Sequence, residues 1–358
     1  MREGTFAFDL KGKNFTFADL VLGSGLSVGV AQFVNTDAAN ATVSIGGITL
    51  QSNSGSYNVK NLVTNLEGNV GPNVTLELRG GVLNIGGASV GINNHVYLGS
   101  GETASIGYDI VLNAGNASGS SNNRLEVDGG TLNTGVITVG GLYDASNPSD
   151  IVRANNQVVV HENGNLKITA GSADLLTVGS GSELRTETGG KIVLDYTLGA
   201  QSNLNIAEHG QLILNGAGSQ ISATAASGYK LNVAGSAEVS DGASLGNLGV
   251  LSVASTGYAL VKDTTLSSGA LEVSGVAEFK NTDFTNVGNI SVNGGHLLVD
   301  EGSRFDSNGS TGTLQVSAGG TMDIKNNSEV RTYYLFGSGA GITVEQGSTL
   351  YFDKWTTG

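Results

Sequence analysis

Three Gly-x-Ser-x-Gly strings, at Gly25–Gly29, Gly87–Gly91 and Gly242–Gly246, are the first candidates for chemistry. In hydrolases this spacing lifts a nucleophilic Ser onto a tight strand-to-helix turn. No helical pattern follows any of them, and a chain rich in Gly and Ser yields the string by chance. No catalytic Ser is assigned. The four His residues (His95, His161, His209 and His296) are far apart in sequence. None forms His-Glu-x-x-His, and no pair has zinc-ligand spacing. Each reads as an outward strand or turn residue.

Carboxylates give no clearer signal. Glycoside hydrolysis needs two of them roughly 5–9.5 Å apart; Asp144 and Asp174 are one pair that a repeating fold could bring together. Calcium-binding repeats of the Gly-Gly-x-Gly-x-Asp kind are absent, because Gly129-Gly130 is followed by Thr131-Leu132-Asn133. Asp128 and Asp300-Glu301 remain only as incidental calcium positions. Phosphate loops need a Lys and a helix start after the Gly cluster, and neither follows. We therefore expect no enzyme, no catalytic, cofactor-binding or metal residue, and no cofactor; ligand-binding residues are left unassigned.

What must position any functional group is a repeat. Gly accounts for 56 of the 358 residues, charged residues for 13%, Pro for two. Collagen is excluded because Gly does not recur at every third position, and a flexible linker because apolar positions recur regularly. No 15-residue window keeps a helical period without a Gly inside it. The chain reads as all-β.

One unit is apolar-x-apolar, two residues, Gly-Gly and apolar again: Leu76-Glu77-Leu78-Arg79-Gly80-Gly81-Val82, then Leu125-Glu126-Val127-Asp128-Gly129-Gly130-Thr131-Leu132-Asn133. Weaker copies begin at Val158, Leu204, Leu231, Leu271, Ile290, Leu314 and Ile342. Leu231, Leu251, Leu271 and Ile290 are spaced by 20, 20 and 19 residues, one solenoid coil each. A second unit ends in Gly-Ser-Gly or a variant, after Leu22, Leu98, Val139, Val178 and Phe336; the steps from Leu98 to Val139 and Val178 read as two coils apiece.

Alternation along a strand sends Leu125 and Val127 inward and Glu126 to water. Diglycine supplies the positive φ of a sharp corner. A single coil cannot bury its apolar face, so neighbours must stack above and below it. These features predict a parallel, right-handed β-solenoid with coils of about 20 residues, ~16–18 coils in all.

Both ends break the pattern. Phe6, Phe8, Phe15 and Phe17 flank a turn at Lys11-Gly12-Lys13, and Tyr333, Tyr334, Phe336, Tyr351, Phe352 and Trp355 crowd the far end. We expect one domain over 1–358, with a cap at 1–20 and an end region at 330–358 that cover the open edges. Residues 51–71, 114–123 and 143–156 are too polar for coils and should protrude as loops, where repeat scaffolds commonly carry binding.

The formal charge of −14, with 17 scattered basic residues, leaves no basic stripe for phosphate and excludes nucleic acid and anionic membrane surfaces as partners. No run is long and apolar enough for a membrane helix, and no Cys is present. Met1-Arg2-Glu3-Gly4 lacks the apolar core of a signal peptide, so the chain reads as part of a longer protein.

Asn122-Asn123-Arg124-Leu125-Glu126-Val127-Asp128-Gly129-Gly130-Thr131-Leu132-Asn133, continuing to Ile137-Thr138-Val139-Gly140, resembles the strand repeats of autotransporter passenger domains. Asn155-Asn156-Gln157-Val158 to Val178-Gly179 looks like a divergent copy. The resemblance implies a right-handed β-helix displayed outside a bacterial cell, anchored through a C-terminal barrel absent from this sequence. It further implies an adhesin or self-association module whose partner is a host or bacterial surface protein or glycan, or another copy. The alternatives are a polysaccharide-active β-helix (lyase, hydrolase or phage tail-fibre type) and a passive stalk.

Overall fold

The computed structural model describes residues 4–9, 11–17, 20–22, 29–34, 41–45, 48–50, 60–65, 74–78, 82–85, 93–98, 103–106 and 109–112, then 124–140, 156–197, 201–307, 311–317, 319–337 and 341–357. All regular elements among them are strands. They form an all-β, parallel solenoid with three strands to a coil.

One coil illustrates the rest. Glu183–Thr186 lies on a first face, Lys191–Tyr196 on a second and Ser202–Ile206 on a third. Gln211–Asn215, Gln220–Ala223 and Tyr229–Val233 repeat the path. Each strand pairs in parallel with its equivalent one coil later. Toward the C-terminus the corners tighten until a single strand, Tyr258–Val273, runs across all three faces.

The predicted alternation is what fills the core. Leu125 and Val127 are fully buried, while Glu126 between them faces outward. On the third face Leu204, Leu231, Leu251, Leu271, Ile290 and Leu314 are consecutive partners, so the steps of 20, 20 and 19 are true coil lengths. Stacked aliphatics of this kind stabilise by about 1.5–3 kcal/mol each.

Upstream the coils are wider. Leu125 pairs with Val158 and Val158 with Leu184, steps of 33 and 26 residues. The solenoid therefore has fewer coils than a uniform 20-residue repeat would give. Leu98 and Val139 also belong to different columns: Leu98 pairs with Val127 on the first face, Val139 with Leu112 and Val178 on the third. The interval from Val139 to Val178 is one coil, not two.

Core volume is balanced across faces. Ala237, Ala259 and Ala277 are consecutive on the first face. Beside this small-residue column lie three fully buried rings, Phe279, Phe284 and Phe305. Phe279 meets Phe305 edge-on at 4.8 Å, Phe284 meets Phe305 edge-on at 5.1 Å, and Phe279 stacks on Phe284 at 5.4 Å. Such contacts add about 0.5–1.5 kcal/mol per pair beyond burial. Tyr229 is also fully buried; its hydroxyl donates to Ile221 O at 3.4 Å, and burial pushes the phenol upward.

The diglycine corners divide their labour. At Gly294-Gly295 only the first residue has a positive φ, 76°, and space lies around it. A Cβ on Gly295 would sit 2.5 Å from the Gly275 carbonyl oxygen of the preceding coil. The sequence suggested positive φ for both positions; the second is instead selected by close backbone approach. Where a diglycine is missing, His209 takes the left-handed position before Gly210, and at Asp241-Gly242 both residues are left-handed.

Aromatic groups lie near both ends. Phe15 packs partly against the core, and Lys11-Gly12 turns with φ of 47° and 69°. At the other end Tyr351, Phe352 and Trp355 are exposed on the strand Thr349–Thr357. The expectation of a loop at 51–71 needs correction in part, because Lys60–Asn65 is a strand paired with Asn93–Tyr97. Residues 114–123 and 143–155 lie outside the described residues; Asn156, placed in the last of these loops, is instead buried and donates to Gly140 O at 2.8 Å.

Candidate binding faces and a corner groove

The outward column of the first face alternates charged and apolar side chains, Glu126, Val159, Arg185, Ile213, Glu238, Leu260, Glu278, Leu298 and Asp323 in register, and many of its charges pair with near neighbours. Arg124 pairs with Glu126 at 2.8 Å, Arg185 with Glu183 at 2.7 Å, Lys280 with Glu278 at 2.9 Å and Lys325 with Asp323 at 3.3 Å. His161 bridges two coils: Nε2 lies 2.7 Å from Glu126 and Nδ1 2.7 Å from Glu187. An imidazolium can donate to both carboxylates at once. Sequence spacing gave no hint of this cluster, since its members come from three coils of unequal length.

The third face differs in chemistry. Its outward column reads Thr138, Thr177, Asn205, Asn232, Ser252, Glu272, Ser291 and Gln315 in register. Asn232 Nδ2 donates to Asn205 Oδ1 at 2.8 Å. Asp174 accepts from Asn203 and Asn205 at 2.8 and 3.1 Å, and Thr313 donates to Asn289 at 2.7 Å. Lys230 and Glu272 neutralise each other at 3.1 Å. A mostly uncharged, hydroxyl- and amide-bearing sheet thus runs along a molecule whose net charge is −14.

A groove follows the corner between the second and third faces. Two adjoining cavities of about 500 and 670 Å³ share Asn286 in their walls. Gly249 and Gly269 line the smaller cavity and, with Gly288, mark where successive coils approach closely at that corner: a Cβ on Gly269 would lie 2.9 Å from Gly249 O, and one on Gly288 2.5 Å from Gly269 O. At the C-terminal end Tyr351 stands beside Arg331, whose guanidinium carbon is 5.5 Å above the ring centroid.

The remaining sequence candidates are dispersed. Ser244, the central residue of the third Gly-x-Ser-x-Gly string, opens the strand Ser244–Gly246, and no helix follows. The cores of the other two strings lie outside the described residues, as does Asp144. Its suggested partner Asp174 is held by the two Asn above. His209 sits at a left-handed corner, 3.7 Å from Glu208, and His296 shares a 2.8 Å hydrogen bond with Thr321. Asp300 is occupied by the backbone N–H of Glu301 and by Asn326, at 2.7 and 2.6 Å. Among the described residues, no three His, Asp or Glu gather as a metal site, and no helix is long and apolar enough to cross a membrane.

No family model matches the chain, and no curated protein matches it. Among solved structures it is similar to one described as the crystal structure of a TibC-catalyzed hyper-glycosylated TibA55-350 fragment, with 16% identity over 97% of this chain and 100% of that one. The TM-score is 0.21. A superposition at that level carries no argument, and the solenoid stands on its own strand register.

Proposed function

We propose that this chain is a non-catalytic adhesion and self-association module of the autotransporter-passenger kind, displayed outside a bacterial cell. Its partner is another copy of itself or a protein or glycan of a host or bacterial surface. In this reading it is one continuous domain over 1–358, with 1–20 as a cap and 330–358 as an end region.

The observation that supports it best is the mostly uncharged third face, where Lys230 and Glu272 pair with each other. Two copies of a chain with charge −14 repel. That repulsion is weakest where the facing side chains are Asn, Ser, Thr and Gln, each able to donate and accept. Individual hydrogen bonds across such a contact contribute little, but register repeats them coil after coil, and linked weak contacts sum. The first face, by contrast, already pairs many of its own charges.

Surface display tests the proposal. Cells carrying the wild-type chain should clump or attach to host surfaces. Ser252→Glu with Ser291→Glu, on the third face, should abolish this, while Arg185→Glu with Lys325→Glu on the first face should not. If neither pair changes clumping or attachment, the chain is a passive spacer.

A further inference from the structure

Asn is followed directly by Gly at four places, Asn163-Gly164, Asn215-Gly216, Asn293-Gly294 and Asn308-Gly309; the last lies outside the described residues. In such a pair the Gly nitrogen can attack the Asn side-chain carbonyl carbon, since no Cβ on the Gly shields it. A backbone N–H already held by a carbonyl is not free to do so. Two of the pairs are held in this way. Gly164 N–H donates to His161 O at 2.9 Å, and a Cβ on Gly164 would lie 2.4 Å from Val127 O of the preceding coil. Gly216 N–H donates to Ser240 O at 3.3 Å, while the Asn215 amide donates to Ser240 Oγ at 3.1 Å and to Asp241 Oδ2 at 3.0 Å. Asn293-Gly294 differs. It opens the corner after the strand Asn289–Val292, and both residues are exposed. Among the described residues neither the Asn293 side chain nor the Gly294 N–H has a hydrogen-bond partner. Gly294 has φ of 76°, with no atom within 4 Å of where a Cβ would stand.

We propose that Asn293 is a self-modification site, where the folded chain converts an amide to a carboxylate with water as the co-reactant. The Gly294 nitrogen bonds to Asn293 Cγ, the Cγ–Nδ2 bond breaks, and the proton from Gly294 ends on the departing ammonia. Water then opens the cyclic imide at either carbonyl. One product is Asp; the other is isoaspartate, whose backbone is longer by a methylene. The longer product strains this corner, because Gly295 follows at once and a Cβ there would already lie 2.5 Å from Gly275 O. Either product sets a negative charge beside the third face: Asn293 follows Ser291 on the same side of the chain, with Val292 buried between them. Under the pairing proposed for that face, the added charge weakens the contact as the protein ages. This consequence rests on that reading, whereas the chemistry at Asn293 does not.

Peptide-mapping mass spectrometry of the whole chain, incubated in mildly alkaline buffer with and without guanidinium chloride, tests this. The mass change that marks replacement of an amide NH2 by OH is read at each pair separately. Folding should slow the reaction at Asn163 and Asn215 at least tenfold, and at Asn293 no more than severalfold. In the native chain Asn293 should therefore be converted ahead of both, with isoaspartate among its products. Folding that protects Asn293 as strongly as the other two, or native conversion at Asn163 or Asn215 ahead of it, would overturn the proposal. Asn293→Asp should separately reduce the clumping of displaying cells severalfold. Clumping unchanged by Asn293→Asp would break the link to the third face, while the mass spectra still decide the modification.

Discussion

Asn232 donates from Nδ2 to Oδ1 of Asn205, 2.8 Å away and one coil earlier. The two side chains meet only because Leu231 and Leu204, inward neighbours in the same strands, are stacked in the core. Surface ladder and buried column are thus two sides of one register. A perturbation that shifts the column by one residue would turn the ladder inward.

The phenylalanine cluster should carry a large share of local stability. Phe284 is fully buried between Phe279 and Phe305. Phe284→Ala should cost about 3–5 kcal/mol, the range for large core truncations. Equilibrium denaturation with urea reads this directly; a loss below about 1 kcal/mol would mean that the cluster is loosely packed.

Adjacent corner glycines should respond in opposite ways. Gly294 has φ of 76° with open space, so Gly294→Asn should be nearly neutral, within about 1 kcal/mol. Gly295 has no room, and Gly295→Ala should destabilise by about 2 kcal/mol or more. Thermal melts of the two variants check the contrast, and equal effects would contradict the division of labour at these corners.

These particulars show what the sequence could and could not convey. Leu231, Leu251, Leu271 and Ile290 were readable because their coils are nearly equal in length. The same period also spaces Gly249, Gly269 and Gly288, where successive coils approach closely at one corner. Upstream, corners of unequal length hide the register, so Leu98 and Val139 read as one series although they stack on different faces. The His161 cluster was invisible for that reason: Glu126 and Glu187 approach it only once both coil lengths are known.

Acid should weaken the second face through Asp195. A hydrogen bond from Thr224 at 2.8 Å, followed by Lys167 at 3.1 Å, holds this carboxyl below the usual carboxylate range. Because the folded-state value is depressed, the stabilisation is present above about pH 4 and lost as pH falls through the folded value. Thr224→Ala should lower the melting temperature at pH 7 and reduce the further loss on acidification. Parallel melting curves for variant and wild type across the acid range would contradict the assignment.

Sedimentation equilibrium of the purified chain tests the third-face account most directly. The wild type, 36.2 kDa as a single chain, should show an apparent mass rising with concentration toward that of a dimer. Ser252→Glu with Ser291→Glu should hold it at the single-chain mass with its circular dichroism unchanged. A wild-type mass that stays at one chain throughout, or an association that the two glutamates leave intact, would contradict pairing through this face.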